Sequence, residues 1–180
     1  MIVMPIIAVT GLIGSGKDEV ASYLYKEHGF VLFDHSVILE TILKEQGRPV
    51  TRQEKRNLRI ERGNAFTAEL INQEIRSRNL RNVVIGSLRR PEEVIILKDA
   101  FPDAKLLVVK ADFSRRLSRE QKRAQYSDAP ETEEDFYAQD QEEERLYEFS
   151  KTFAMADAAI TNNGSLEELH REIDRILKNL

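Results

Sequence analysis

Apolar and polar positions fall along this chain in blocks with two different periods. Ile6-Ile7-Ala8-Val9-Thr10 is a short continuous apolar run rich in β-branched residues, the pattern of a strand buried on both faces. Phe30-Val31-Leu32-Phe33, Asn82-Val83-Val84-Ile85, Lys105 through Lys110 and Ala158-Ala159-Ile160-Thr161 read the same way, which predicts five strands. Between the strands, apolar residues return every three or four positions. Val20, Ala21, Leu24 and Tyr25 mark a helix from Lys17 to about His28-Gly29, and Val37, Ile38, Ile42 and Leu43 mark another with Ser36 as its expected cap. Gly47-Arg48-Pro49 breaks that helix, and Thr51 with Glu54 reads as a capping box opening a stretch rich in cations. Gly63-Asn64 then precedes a helix holding Phe66, Leu70, Ile71 and Ile75.

In the second half, Pro91 suits the first turn of a helix, and another helix starts near Ser114. Tyr126 through Pro130 reads as a loop, followed by an acidic helix from Thr132. Ser165 and Glu168 box the last helix, whose inner face carries Leu166, Leu169, Ile173, Ile176 and Leu177. Strands alternating with helices predict one α/β domain over residues 1–180, with a parallel sheet covered by helices.

The joint between the first strand and the first helix carries the clearest chemistry. Gly11-Leu12-Ile13-Gly14-Ser15-Gly16-Lys17-Asp18 is G-x-x-x-x-G-K followed by Asp, where the P-loop pattern has Ser or Thr. Gly11, Gly14 and Gly16 permit backbone angles closed to other residues and let N–H groups cradle phosphate oxygens together with Ser15. The helix N-terminus adds partial positive charge, and Lys17 adds a full one within reach of β- and γ-phosphates. Asp18 is a hard oxygen ligand suited to Mg2+, directly or through water; its alternative role is an acid favoured by the helix dipole.

Composition narrows the classes. With 41% hydrophobic and 32% charged residues in 180, the chain is built to fold around a core, and a cytoplasmic location is expected. It has no cysteine, and its three histidines, His28, His35 and His170, lack ligand spacing, so disulfide, thiol and zinc chemistry are not expected. Lys17 is the first cation, so the apolar start reads as a strand and not a signal peptide, and no apolar run has the length of a membrane span. A net charge of −4, without interleaved aromatic and basic residues, argues against nucleic acid as a partner.

Other charged groups fall where ligands bind in such folds. Arg116, Arg119 and Arg123 at i, i+3 and i+7 share one helix face, placed to close as lid cations over a transferring phosphoryl or to form a solvated surface. Arg52, Lys55, Arg56, Arg59 and Arg62 form a second basic face, either for an acceptor phosphate or for solvent. Asp34 ends the second strand, where it can orient an acceptor hydroxyl, hold a metal-bound water or cap the next turn. Arg89 and Arg90 follow the third strand, within reach of a substrate phosphate. That strand is expected to end in Gly86, where P-loop enzymes commonly place a metal-binding Asp; Asp18 or Asp34 is left to supply the carboxylate.

These residues together resemble the P-loop kinase superfamily of nucleoside monophosphate kinases and dephospho-CoA kinases, in its archaeal and bacterial nucleotide kinase-related branch. The resemblance rests on Val9 through Lys17, on Val83-Val84-Ile85 with Arg89 and Pro91-Glu92-Glu93-Val94, and on Ala156-Asp157 with Asn162 through Leu169. Asp after the P-loop Lys is similar to certain deoxynucleoside monophosphate and phosphomevalonate kinases. The chain departs in having Gly86-Ser87 for Asp-Gly or Asp-Ser, and Gln139-Asp140 for Arg-Asp. The resemblance implies a three-layer P-loop kinase fold with a helical lid at about 114–148 and an ATP- and Mg2+-dependent phosphotransferase. A nucleoside or deoxynucleoside monophosphate is its first expected acceptor and dephospho-CoA the second. It also implies that Asn162 and Gly164 flank the donor base. A P-loop ATPase acting as a switch or assembly factor on RNA or protein is the reading from another class.

Overall fold

The computed structural model describes residues 5–123 and 132–179. Five strands, β1 (Ile7–Thr10), β2 (Val31–Asp34), β3 (Val83–Leu88), β4 (Lys105–Lys110) and β5 (Ala158–Thr161), pair in parallel in the order β2-β3-β1-β4-β5. All four residues of β1 are buried, as its continuous apolar run requires of a strand at the centre of the sheet. The helices are α1 (Lys17–His28), α2 (His35–Glu45), α3 (Arg52–Arg62), α4 (Phe66–Ser77), α5 (Pro91–Ala100), α6 (Phe113–Lys122), α7 (Glu133–Tyr147), α8 (Phe149–Ala154) and α9 (Leu166–Leu177).

Alternation along the strands sends side chains to two layers of core. Ile7, Val9, Leu107 and Val109 pack with Val20 and Leu24 of α1 and with Leu169 and Ile173 of α9. Ala8, Val83, Ile85 and Leu106 face the other way, against Ile71 and Ile75 of α4 and Val94 and Leu97 of α5. Each fully buried aliphatic side chain contributes about 1.5–3 kcal/mol, so the sheet is held from both sides. A third, smaller cluster of Leu39, Leu43 and Leu58 joins α2 to α3 and carries the basic helix beside the sheet ends. Among the described residues no helix is long and apolar enough to cross a membrane.

The structure corrects several local expectations. β3 does not end at Gly86 but runs on to Leu88. Ala8 lies opposite Ile85 and Thr10 opposite Leu88, so β3 carries one extra residue there, a bulge pinned by Thr10 Oγ1 donating to the Leu88 carbonyl at 2.7 Å. The cap of α2 is Asp34 rather than Ser36: its Oδ1 accepts the N–H of Ser36 at 2.7 Å and of Val37 at 3.2 Å. A carboxylate is the stronger acceptor at a helix N-terminus. Only half of the Thr51–Glu54 box forms, because the Glu54 side chain turns to Arg48 and Asn57. The Ser165–Glu168 box is complete. α8 carries no clear sequence period and was not anticipated. The expected loop at 126–130 and the middle of the expected lid lie outside the described residues.

Candidate active site

The P-loop leaves β1 at Thr10 and enters α1 at Lys17. Its glycines are fixed by close approach. A Cβ on Gly14, which has φ +75°, would sit 2.7 Å from the Arg116 carbonyl oxygen, and one on Gly16, with φ +94°, would overlap the Asn162 side-chain amide. Gly11 is equally confined, since a Cβ there would lie 2.5 Å from both Ser15 Oγ and the Val109 carbonyl. The loop closes on itself through Ser15 N–H donating to the Leu12 carbonyl at 3.1 Å, while Ser15 Oγ is buried without a hydrogen-bond partner.

Lys17 is 9% exposed, and its Nζ lies 3.8 Å from Asp18 Oδ1. Burial lowers the Lys17 pKa; Asp18 opposes the shift, and Arg89 and Arg123 add to it. A buried cation of this kind is made more favourable by an anion beside it. Asp18 keeps a side chain 55% exposed at the loop mouth. The orphaned Ser15 hydroxyl, the cradle that any Cβ would fill, the buried Lys17 and the open Asp18 carboxylate fit a nucleotide phosphate chain with its Mg2+.

A cavity of about 350 Å³ opens from Lys17 along the carboxyl ends of the strands toward α3 and α7. Its wall holds seven cations, Lys17, Arg52, Lys55, Arg56, Arg59, Arg89 and Arg123, against four acids, Asp18, Glu120, Glu142 and Glu143. In a chain of net charge −4 this is a local excess of cations over acids on the described wall, Arg59 being paired with Glu93 behind it. Arg89 enters from the end of β3, its Nη1 3.1 Å from Glu143 Oε1 and its guanidinium 5.1 Å over the Tyr147 ring. Arg56 meets Glu142 at 3.2 Å, and Lys55 Nζ donates to Ser36 Oγ at 2.8 Å and to Glu40 at 2.5 Å.

Arg59, another expected site residue, is turned inward. Arg59 is 4% exposed and its Nη1 lies 2.5 Å from Glu93 Oε1, so its charge is neutralised inside the protein. Glu93 also accepts the backbone N–H groups of Arg89 and Arg90 through Oε2, at 2.8 and 3.1 Å, and its Oε1 lies 3.7 Å from His35 Nδ1. Burial by itself would raise the Glu93 carboxyl, but His35 once protonated in acid, Arg59 and the Arg89 N–H outweigh it and hold the pKa at about 2. His35 is driven the other way, chiefly by burial, and its Nδ1 lies 2.7 Å from Thr67 Oγ1.

Arg116 and Arg119 do not line the cavity, in contrast to Arg123. Arg116 is clasped by both oxygens of Asp140, at 2.9 and 2.5 Å, lies 5.1 Å over Phe136, and donates to the Ile13 carbonyl at 3.1 Å. Arg119 donates to the carbonyls of Gly14 at 3.0 Å, Ser15 at 3.3 Å and Asn162 at 2.8 Å. Asn162 turns its own amide onto the Ser15 carbonyl at 2.9 Å, instead of presenting it to a base. Gly164 leaves room for the Glu168 carboxylate, which caps α9.

Asp34 is held by its cap and by Ser87, whose Oγ donates to Oδ2 at 2.8 Å. Ser87 itself sits at φ +58°, a backbone conformation that costs a non-glycine residue about 1–2 kcal/mol. A Cβ on Gly86 would lie 2.7 Å from Asp34 Oδ2, so the Asp34 carboxylate fills the space that a side chain at 86 would take. Sequence reasoning missed Glu93, Glu142, Glu143 and Tyr147. The position of Glu93 three residues after Arg90 was a usable capping signal; the α7 acids were hidden in a uniformly acidic helix.

Comparison with known proteins bears on the family and the fold. The AAA domain family profile matches residues 7–146, a span that runs from the P-loop strand through most of α7. The chain belongs to the AAA domain family. It is also 31% identical to the UPF0200 protein of Thermococcus kodakarensis, over 96% of both chains, and so groups with the UPF0200 proteins. Among solved structures it is similar to shikimate kinase from Bacteroides thetaiotaomicron, with TM-score 0.65, 13% identity and 98% of each chain covered. A gluconokinase from Sinorhizobium meliloti superposes with TM-score 0.62 at 18% identity, over 97% of this chain and 94% of that one. The fold is therefore the three-layer α/β fold of P-loop kinases.

Proposed function

We propose that this chain is an ATP- and Mg2+-dependent kinase whose acceptor is a small nucleotide-like molecule, most simply a nucleoside or deoxynucleoside monophosphate. One observation carries the reading: the cavity joins the P-loop Lys17 to a second group of cations on α3, Arg52 and Arg56, with Arg89 and Arg123 also lining it. Two separated sets of positive charge suit a donor phosphate chain on one side and an acceptor with its own phosphate on the other. Dephospho-CoA meets the same requirement and is the alternative acceptor.

In this reading the P-loop amides and Lys17 hold the donor phosphates. Arg89 and Arg123, which both act on Lys17, face the space between the two sites and take up charge as the acceptor oxygen bonds to the γ-phosphorus and the bond to ADP breaks. Bound Mg2+ supplies further neutralisation of the phosphate oxygens. Asp18 is the carboxylate open to hold it, with Asp34 standing in the place of the acid missing at Gly86.

The test is ADP release from ATP and Mg2+ across a panel of ribo- and deoxynucleoside monophosphates and dephospho-CoA. Release stimulated by one acceptor, with its phosphorylated product seen by mass spectrometry, is the expected result. Slow release indifferent to every acceptor would overturn it in favour of a switch ATPase.

A further inference from the structure

Three consecutive P-loop carbonyls, those of Ile13, Gly14 and Ser15, accept hydrogen bonds from side chains outside the loop. The donors are Arg116 and Arg119 of α6 and Asn162, just past β5. A peptide group is planar, with its C=O and N–H pointing in opposite directions. Drawing a carbonyl outward therefore turns the next residue's N–H inward. The Ile13 carbonyl sets the N–H of Gly14, and the Ser15 carbonyl sets that of Gly16. The Gly14 carbonyl sets the N–H of Ser15, which closes the turn on the Leu12 carbonyl at 3.1 Å. Arg119 is the centre of the arrangement, because its planar fork reaches Gly14, Ser15 and Asn162 at once.

We propose that Arg119, supported by Asn162, is a positioning residue that sets the P-loop for phosphate before nucleotide arrives, and is not a cation that closes over the transferring phosphoryl. Two observations carry this beyond packing. The Arg119 terminal nitrogens already donate to three carbonyls, whereas Arg123, one turn further on, faces the cavity. Gly16 also has no room for a Cβ because the Asn162 amide lies against it, so loop and brace are fitted to each other. The inference rests on the nucleotide reading of the loop but not on kinase activity.

Hydrogen exchange of the amides of residues 11–17 in nucleotide-free protein, together with ADP affinity, tests it in wild type, Arg119→Ala, Arg119→Lys and Asn162→Ala. Loss of charge-assisted bonds to backbone should speed exchange of these amides by about tenfold and weaken ADP by about tenfold. Arg119→Lys, with one point charge in place of a fork, should restore only part of either, and Asn162→Ala should move both in the same direction. The proposal is overturned if the empty loop of Arg119→Ala exchanges as in wild type and ADP binds unchanged, with only turnover reduced. Should Arg119→Ala fail to fold, Asn162→Ala and Arg119→Lys carry the same two measurements. If wild type binds no ADP, the nucleotide reading fails, while the exchange data still decide whether the brace exists.

Discussion

Replacing Glu93 with Gln should be among the most destabilising single-atom changes available in this protein. Glu93 is fully buried, and Arg59, 2.5 Å away, is 4% exposed. Glutamine keeps an oxygen able to accept the N–H groups of Arg89 and Arg90, so the start of α5 retains its cap and the change isolates charge. A buried ion left without its partner costs about 3–5 kcal/mol. Proton linkage acts in the same direction, because against the effect of burial the charges and N–H groups around Glu93 hold its carboxyl below the ordinary 4.5.

The sign follows from the direction of that shift. A depressed carboxyl stabilises the fold above its unfolded value of 4.5, and the contribution is lost as pH falls toward about 2. Urea unfolding at pH 7 should therefore show a midpoint about 1–2 M lower for Glu93→Gln, and the gap to wild type should shrink as the pH is lowered below 4.5. Adding Arg59→Met, which removes the stranded charge, should recover part of the loss. A gap under about 1 kcal/mol at pH 7, or one that does not change with pH, would refute the assignment of Glu93 as an ionised hub.

Lys17→Ala should abolish ATP turnover and leave the melting temperature equal to or above that of wild type, because it removes a buried, desolvated cation; a large fall in melting temperature would contradict that. Gly86→Ala should cost at least about 1–2 kcal/mol in thermal unfolding by driving Asp34 off its cap, and a neutral result would show that the carboxylate does not fill that space. His35 is kept neutral by burial, so the unfolded chain takes up its proton near pH 6.5 and the folded chain does not. Stability should fall as pH drops below 6.5, and chemical denaturation of His35→Gln should show no such decline down to about pH 5.

The strands were legible because a parallel, two-sided strand must be apolar at consecutive positions, as Ala8-Val9 and Val83-Val84-Ile85 are. The P-loop was legible because its chemistry is local, and eight consecutive residues contain it. The continuation of β3 was not, since Gly86-Ser87-Leu88 has no strand period and the bulge exists only relative to Thr10 on another strand. Asp34 and Ser36 are both capping types; the carboxylate, the stronger acceptor, takes the cap with Oδ1 while Ser87 from β3 holds Oδ2. The spacing on α6 groups Arg116, Arg119 and Arg123, but periodicity says which residues share a face and not what each meets: Arg116 and Arg119 meet the back of the P-loop, and Arg123 meets the cavity. The Arg59–Glu93 pair joins residues 34 positions apart on different helices, and no local pattern announces it.

The order of strands also governs how the chain matures during synthesis. β1 emerges before the other strands, yet its neighbours are β3 and β4, whose paired residues lie at 84–88 and 105–108. At about 5–20 residues per second, this strand waits about 4–16 seconds before its first flank exists. During that interval Ile7-Ala8-Val9 is an unpaired, aggregation-prone edge available to chaperones or to wrong partners. The P-loop hangs from the end of this strand, and two of the groups that hold its carbonyls, Arg119 and Asn162, are made later still. The P-loop of a nascent chain therefore stays without these braces until α6 and the end of β5 have been made.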